Sequence, residues 1–193
     1  MKLKQVAITL GLALLAGVGA QAQTSTWTID PAHSSVNFQI RHMGVSTVRG
    51  GLNAIKGTIV LDEKDITKSS VEATIETKSV STGVEARDNH LKSPDFFDVA
   101  QFPLITFKST GITNKGKLQL IGNLTLNGVT KSVTLDLDGP ATPQKGMNGK
   151  TISGFSASGL INRSDFGFGT KSKASPAVGD EVKFTIDVEI DKQ

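Results

Sequence analysis

Arg87–Thr110, RDNHLKSPDFFDVAQFPLITFKST, is the densest stretch of this 193-residue chain and the one segment that is not simple alternation. Arg87, Asp88, His90, Asp95, Phe96, Phe97 and Asp98 are punctuated by Pro94 and Pro103, then give way to Ile105 and Phe107 at strand spacing. The pattern predicts a short helical excursion that returns into a sheet. Thr82 with Glu85 three residues on has the form of a capping box that opens a helix. Ser93-Pro94 offers a second start, with Ser93 as N-cap and Pro94 at the first helical position. The segment from Thr82 to Ala100 is too polar for a core helix, yet it gathers Leu91, Phe96 and Phe97. Two roles fit it: a plug for one end of a core, or a gate through which a ligand passes.

Outward from this segment the period is two. Val36, Phe38, Ile40 and His42 share one strand face, and Ser35, Asn37, Gln39 and Arg41 the other. Leu118, Leu120, Leu124 and Leu126 repeat the pattern, as do Val133, Leu135 and Leu137, and Val182, Phe184, Ile186, Val188 and Ile190. Each run has one buried and one wet face. Asn127-Gly128 between two runs predicts a type I′ hairpin, which needs positive φ at both positions. Strands are expected near 34–42, 46–62, 70–78, 103–112, 116–126, 129–138, 150–161 and 181–191. The class is therefore all-β with antiparallel pairing. A two-sheet sandwich would satisfy the alternation, but a closed eight-stranded barrel leaves no edges and holds one ligand.

No domain boundary interrupts the alternation. Of the two long connections, 139–150 has plain solvated turn composition. The other, 162–180, carries Arg163, Asp165, Phe166 and Phe168 among glycines, which places Phe166 and Phe168 to cap one barrel mouth. Residues 1–22 read as an address: Lys2 and Lys4 precede an apolar run from Val6 to Ala20, and Ala20-Gln21-Ala22 is a small-x-small cleavage site. A spanning helix needs about 20 apolar residues, so a retained anchor is the minor reading. The expected product is one domain over 23–193, periplasmic or secreted. Export removes two of the 21 basic residues that face 18 acidic ones, leaving a nearly neutral chain without the basic stripe that nucleic-acid binding requires. With no cysteine there is neither a disulfide framework nor thiol chemistry.

The block 87–110, taken with WTIDPAHSSVNFQIRH (Trp27–His42), GNLTLNGVTKSV (Gly122–Val133) and INRSDFG (Ile161–Gly167), resembles the YceI-like family in the same order over nearly the whole exported chain. The resemblance departs at Leu52 and Ile55, where aromatic residues would be expected before Gly57. It implies an eight-stranded antiparallel, lipocalin-like barrel with a short helical segment near 82–100, holding a polyisoprenoid, fatty-acyl or other long lipid chain. On that reading the protein is a carrier or sequestering protein, not an enzyme, with no cofactor beyond the lipid. A transient contact with a membrane or membrane protein and a homodimer stay open as further partners.

Strand parity puts Phe38, Ile40, Phe107, Leu124, Phe155 and Phe184 on the interior wall. His42 continues an apolar face and points inward near a strand end, as a core histidine bonded to a carbonyl or as a ligand contact. Phe96, Phe97 and Phe166 belong to the aromatic irregular stretches of the mouth, with Arg87 and His90 beside them as ligand contacts. Arg87, Asp88, Asp95, Arg163 and Asp165 have two readings: ion pairing across the mouth, which composition favours, or an arginine fork meeting a polar or phosphorylated head group. His33, His42 and His90 lack the close spacing of a metal motif, so no metal site is expected. His33 beside Ser34 is no nucleophile and base, because neighbours on a strand face opposite ways and no Gly-x-Ser-x-Gly elbow is present. Two other classes remain as alternatives: a small periplasmic enzyme using histidine and carboxylate, and a ligand-free stress or interaction protein with a self-filled barrel.

Overall fold

The computed structural model describes residues 23–193, so the leader expected over 1–22 lies outside the described residues. Ten strands follow in order: β1 (Thr24–His42), β2 (Ser46–Leu52), β3 (Ile55–Asp62), β4 (Ser70–Glu76), β5 (Leu104–Asn114), β6 (Leu118–Leu126), β7 (Val129–Asp138), β8 (Gln144–Lys145), β9 (Thr151–Asn162) and β10 (Val178–Lys192), with one α-helix, α1 (Glu85–Lys92), between β4 and β5. The pairing is antiparallel and closes on itself in the circuit β1-β3-β4-β5-β6-β7-β9-β10. The long strand β1 takes β3 along Thr24–Thr28 and β2 along Val36–His42. Strands β2 and β3 are thus one wall strand broken at Asn53-Ala54, and the run 46–62 read as a single strand is interrupted there. The closed wall has eight strands, as the alternation implied. Strand β8 is a two-residue edge within the 139–150 connection that composition read as plain turn.

Two bulges explain where the apolar parity changes. The β1–β10 register slips between Asp30 and Ser35, so Ile29 and Val36 both face inward although they lie an odd number of residues apart. A second slip between Ser109 and Gly111 does the same for Phe107 and Ile112. An odd number of extra residues in one strand, three at the first slip and one at the second, exchanges its faces and bends the wall, which a closing sheet requires. At the β6–β7 hairpin Asn127 has φ 52° and Gly128 φ 75°, the left-handed pair that a type I′ turn demands.

The seam between β7 and β9 is narrow, with register only from Asp136↔Ser158 to Asp138↔Ser156. Beyond it the 3₁₀ turn Arg163–Phe166 touches both strands, and Phe166, 1% exposed, packs with Val129, Val133 and Ile161. One end of the barrel is closed by the β3–β4 connection. There the buried Asp62 carboxylate accepts from the Lys64 and Asp65 N–H groups, and Ser69 Oγ accepts from the Asp62 N–H. Ile66 from that turn packs inward, beside a cluster holding the fully buried Trp27 and Ile190.

The opposite end is covered by α1 and the segment after it, and here two local expectations fail. Glu85 opens α1 behind Val84, but no Thr82–Glu85 capping box forms. Gly83, at φ 76°, turns the backbone, and Asp88 reaches back instead to accept from the Thr82 N–H and hydroxyl. Ser93 does not start a second helix; it ends the first, its N–H and Oγ both donating to the His90 carbonyl. Beyond it the Phe97 N–H bonds to Leu91 O and the Asp98 N–H to Ser93 O, spacings too wide for an α-helix, so 93–102 is a sequence of turns.

Candidate functional site

The barrel encloses a cavity of about 380 Å³ that runs from Ile66, Ile112 and Leu137 at the closed end to His42, Arg87 and His90 at the covered end. That volume lies within the range of ~300–1,000 Å³ usual for ligand sites. Phe38, Ile40, Phe107, Leu124, Phe155 and Phe184 stand on its wall. His42, Arg87, His90, Phe96 and Phe97 line the covered end. Phe166 does not line it: its ring is spent in the core where the β7–β9 ladder stops. Sequence reasoning passed over Ile29 and Ile112, whose inward direction depends on the two bulges, and Arg41, which strand parity put on the outer face; Arg163, weighed as a head-group contact, does line the cavity. Leu52 and Ile55, the departure from the family pattern, both face the lumen at the break between β2 and β3.

Three glycines decide how the aromatic rings sit. A Cβ at Gly50 would come 2.5 Å from Phe38 Cζ, one at Gly159 would come 2.7 Å from Phe184 Cζ, and one at Gly122 would overlap the Phe107 ring. Gly50 and Gly159 are the direct cross-strand partners of Phe38 and Phe184. Each ring therefore occupies the place of the missing side chain, lying over the neighbouring strand and leaving lumen free. Cross-strand Phe–Gly pairs are a known device of curved sheets.

At the covered end the two irregular segments meet through aromatic rings. The Phe97 and Phe168 centroids lie 4.6 Å apart, Phe96 and Phe168 5.8 Å, and His90 meets Phe96 edge-on at 5.0 Å. Ser172 Oγ adds a long hydrogen bond of 3.4 Å to Asp95. The segment after α1 and the 163–178 loop thus form one lid.

The ion pairing expected across the mouth is not formed among the described residues. Arg87 donates from Nε to Thr82 Oγ1 and from Nη2 to the Thr82 carbonyl. Arg163, 6% exposed, donates to the carbonyls of Phe168, Ser175, Val178 and Gly179 and to the Ser175 hydroxyl. The loop curls its own carbonyls around the guanidinium, whose fork of donors matches them without a carboxylate. Asp95 pairs with His90 Nε2 at 2.9 Å. The hydrogen bond from Thr82 holds the Asp88 carboxyl below its ordinary range. Ser164 does the same for Asp180, donating to both carboxylate oxygens.

The polar side chains on the wall are Arg41, His42, Ser69, Arg87, His90 and Arg163, with no carboxylate among the described lining residues. Ser69 lies at the end opposite His42 and His90, so the cavity brings no hydroxyl to an imidazole. No hydrogen bond from the His42 ring to a carbonyl is present among the described residues. Outside the barrel His33, Asp30 and Glu189 bring one ligand atom each within 4.8 Å of one another, a grouping that spacing in the sequence did not suggest because Glu189 comes from the last strand. Chemically, the interior is suited to enclosing an apolar chain.

A YceI-like domain matches residues 27–190. The YceI proteins of Salmonella arizonae and Salmonella paratyphi B are each 39% identical over 190 residues, covering 98% of this chain and 97% of theirs. Among solved structures, Burkholderia cenocepacia BcnA is similar at TM-score 0.73 and 26% identity over 83% of this chain and 98% of its own. The Campylobacter jejuni YceI protein follows at TM-score 0.68 and 33% identity over 80% and 90%. A polyisoprenoid-binding domain from Saccharophagus degradans, implicated in plant cell wall breakdown, shares the fold at TM-score 0.61 and 14% identity over 86% and 98%. With the family domain matched across the barrel, the chain belongs to the YceI-like family.

Proposed function

We propose that this protein is an exported carrier or sequestering protein for a long apolar lipid, a polyisoprenoid or similar chain, and that it performs no chemistry on it. The observation that carries the reading is the cavity inside the barrel, walled by aliphatic and phenyl side chains, closed at one end and lidded by aromatics at the other. Burying a methylene gains ~0.8 kcal/mol, so an enclosed chain of about 20 carbons would gain on the order of 16 kcal/mol against association costs of ~4–15 kcal/mol. Family membership and the polyisoprenoid-binding description of the Saccharophagus domain support a lipid as the occupant. Export to the periplasm rests on the sequence of residues 1–22, with Gln23 as the first residue of the exported chain.

Native mass spectrometry of the protein as purified, followed by organic extraction, tests the reading. A stoichiometric long-chain lipid is the expected result. Lipid-free protein whose turnover of some substrate disappears on replacing His42 or His90 would establish the enzyme instead. An intact Met1 on protein recovered from the periplasm would refute the leader.

A further inference from the structure

The hairpin joining β1 and β2 ends in two large apolar side chains with little over them: Met43 is 69% exposed and Val45 83%. The tip is braced. Met43 and Gly44 hold the left-handed φ values of 51° and 68°, the Met43 N–H donates to Ala177 O, and Val45 N–H to His42 O. Arg41 ties the turn from the side by donating to Thr47 Oγ1 and Gly44 O. Isolated exposed apolar residues are ordinary on protein surfaces, but these stand at the cavity mouth. Arg41 and His42, immediately before the tip, line the cavity, as do Ala174 and Val178 of the loop to which the tip is bonded.

The charge around the tip is mainly positive. Arg41, Arg49, Lys171 and Lys173 are exposed, none forms an ion pair among the described residues, and 41–49 contains no acid. Asp88 and Asp95 lie on the α1 side, bonded to Thr82 and His90, Asp180 is held by Ser164 and Glu181 by Lys183, and the 163–178 loop sets one exposed acid, Asp165, against Lys171 and Lys173. An apolar tip flanked by unpaired cations is the pattern of a surface that seats in the interface of an anionic bilayer. Two projecting side chains cover far less than the ~800 Å² per partner of a stable protein interface.

We propose that the β1–β2 hairpin docks the cavity mouth on an anionic membrane surface, with Met43 and Val45 entering the head-group layer and Arg41, Arg49, Lys171 and Lys173 meeting lipid phosphates. The proposal rests on the lipid-carrier reading, since docking brings the lid to the phase in which an apolar cargo dissolves. Its test is sedimentation with vesicles of phosphatidylcholine alone and of equal parts phosphatidylglycerol and phosphatidylcholine. The wild type is expected to sediment with the anionic vesicles and to be released by salt. Met43→Ser with Val45→Ser lowers that binding about tenfold, with an unchanged melting temperature because both side chains are exposed. Arg49→Gln with Lys171→Gln and Lys173→Gln weakens it and flattens the salt dependence.

Equal sedimentation of the wild type and the hairpin variant overturns the proposal. So does a wild type that ignores both vesicles but forms dimers that the hairpin variant does not. Lipid content, read separately by native mass spectrometry, keeps the two ideas apart. Lipid-loaded protein that never sediments sinks the docking, whereas sedimenting protein that never carries lipid sinks the carrier and leaves the docking standing.

Discussion

Phe184 on β10 and Gly159 on β9 are direct register partners, and the Phe184 ring fills the space that a side chain on Gly159 would need. The pair sets the free width of the barrel at that level. Gly159→Val should push the ring into the lumen, cost about 1–3 kcal/mol of stability by overpacking, and reduce the lipid retained on purification. Denaturant midpoints and native mass spectra on the same variant check both halves. Full lipid content at wild-type stability would show that the ring has another resting place.

The lid makes a distinction between two phenylalanines of one loop. Phe168 is half-buried and stacks on Phe96 and Phe97, whereas Phe166 is sunk into the core. Phe168→Ala is expected to speed lipid release several-fold while costing about 1–2 kcal/mol, and Phe166→Ala to cost about 3–5 kcal/mol. Exchange into acceptor vesicles and chemical denaturation separate the two. Unchanged exchange in Phe168→Ala would reduce the lid to a plug.

Arg163 is the buried cation on which the 163–178 loop is wound. Arg163→Met should leave several carbonyls without donors and cost about 3 kcal/mol. Arg163→Lys should recover part of that loss, because an ammonium has three donors where the guanidinium has five. The urea midpoint reports it, and a lysine variant as stable as the wild type would argue against the fork.

The pair His33–Asp30 predicts a pH dependence. The Nδ1–Oδ2 distance is 2.6 Å, with Glu189 3.8 Å away. The hydrogen bond to Asp30, helped by the charge of both carboxylates, raises the imidazole above its ordinary 6.5. The same bond to His33 lowers the Asp30 carboxyl below 3.8. A raised histidine contributes fully below 6.5 and loses its contribution as the pH climbs through the folded-state value, and a lowered aspartate loses its share as the pH falls through its own. The pair therefore stabilises in the mildly acidic window, and stability should decline as the pH rises past 6.5 in the wild type but less in His33→Gln. Parallel pH profiles for the two would mean that the pair is open in solution.

The sequence alone determined the alternating strands, the Asn127-Gly128 hairpin, the helical excursion after Thr82 and the inward parity of Phe38, Phe107, Phe155 and Phe184, because each depends on residues within one or two turns of chain. Tertiary structure decided the rest. The bulges that carry Ile29 and Ile112 inward answer to the curvature of a closing wall, which no local pattern records. Asp88 displaced Glu85 as the partner of Thr82 because the geometry at Gly83 chose between two acids of equal local merit. Arg163 read as one half of an ion pair with an acid across the mouth, yet the guanidinium is satisfied by carbonyls that only the wound loop brings together. Phe166 and Phe168 differ by two residues and share a composition, but one fills the end of the β7–β9 seam and the other covers the cavity. Which ring is core and which is lid depends on strands far away in the chain, and that is information the fold supplies and the sequence pattern does not.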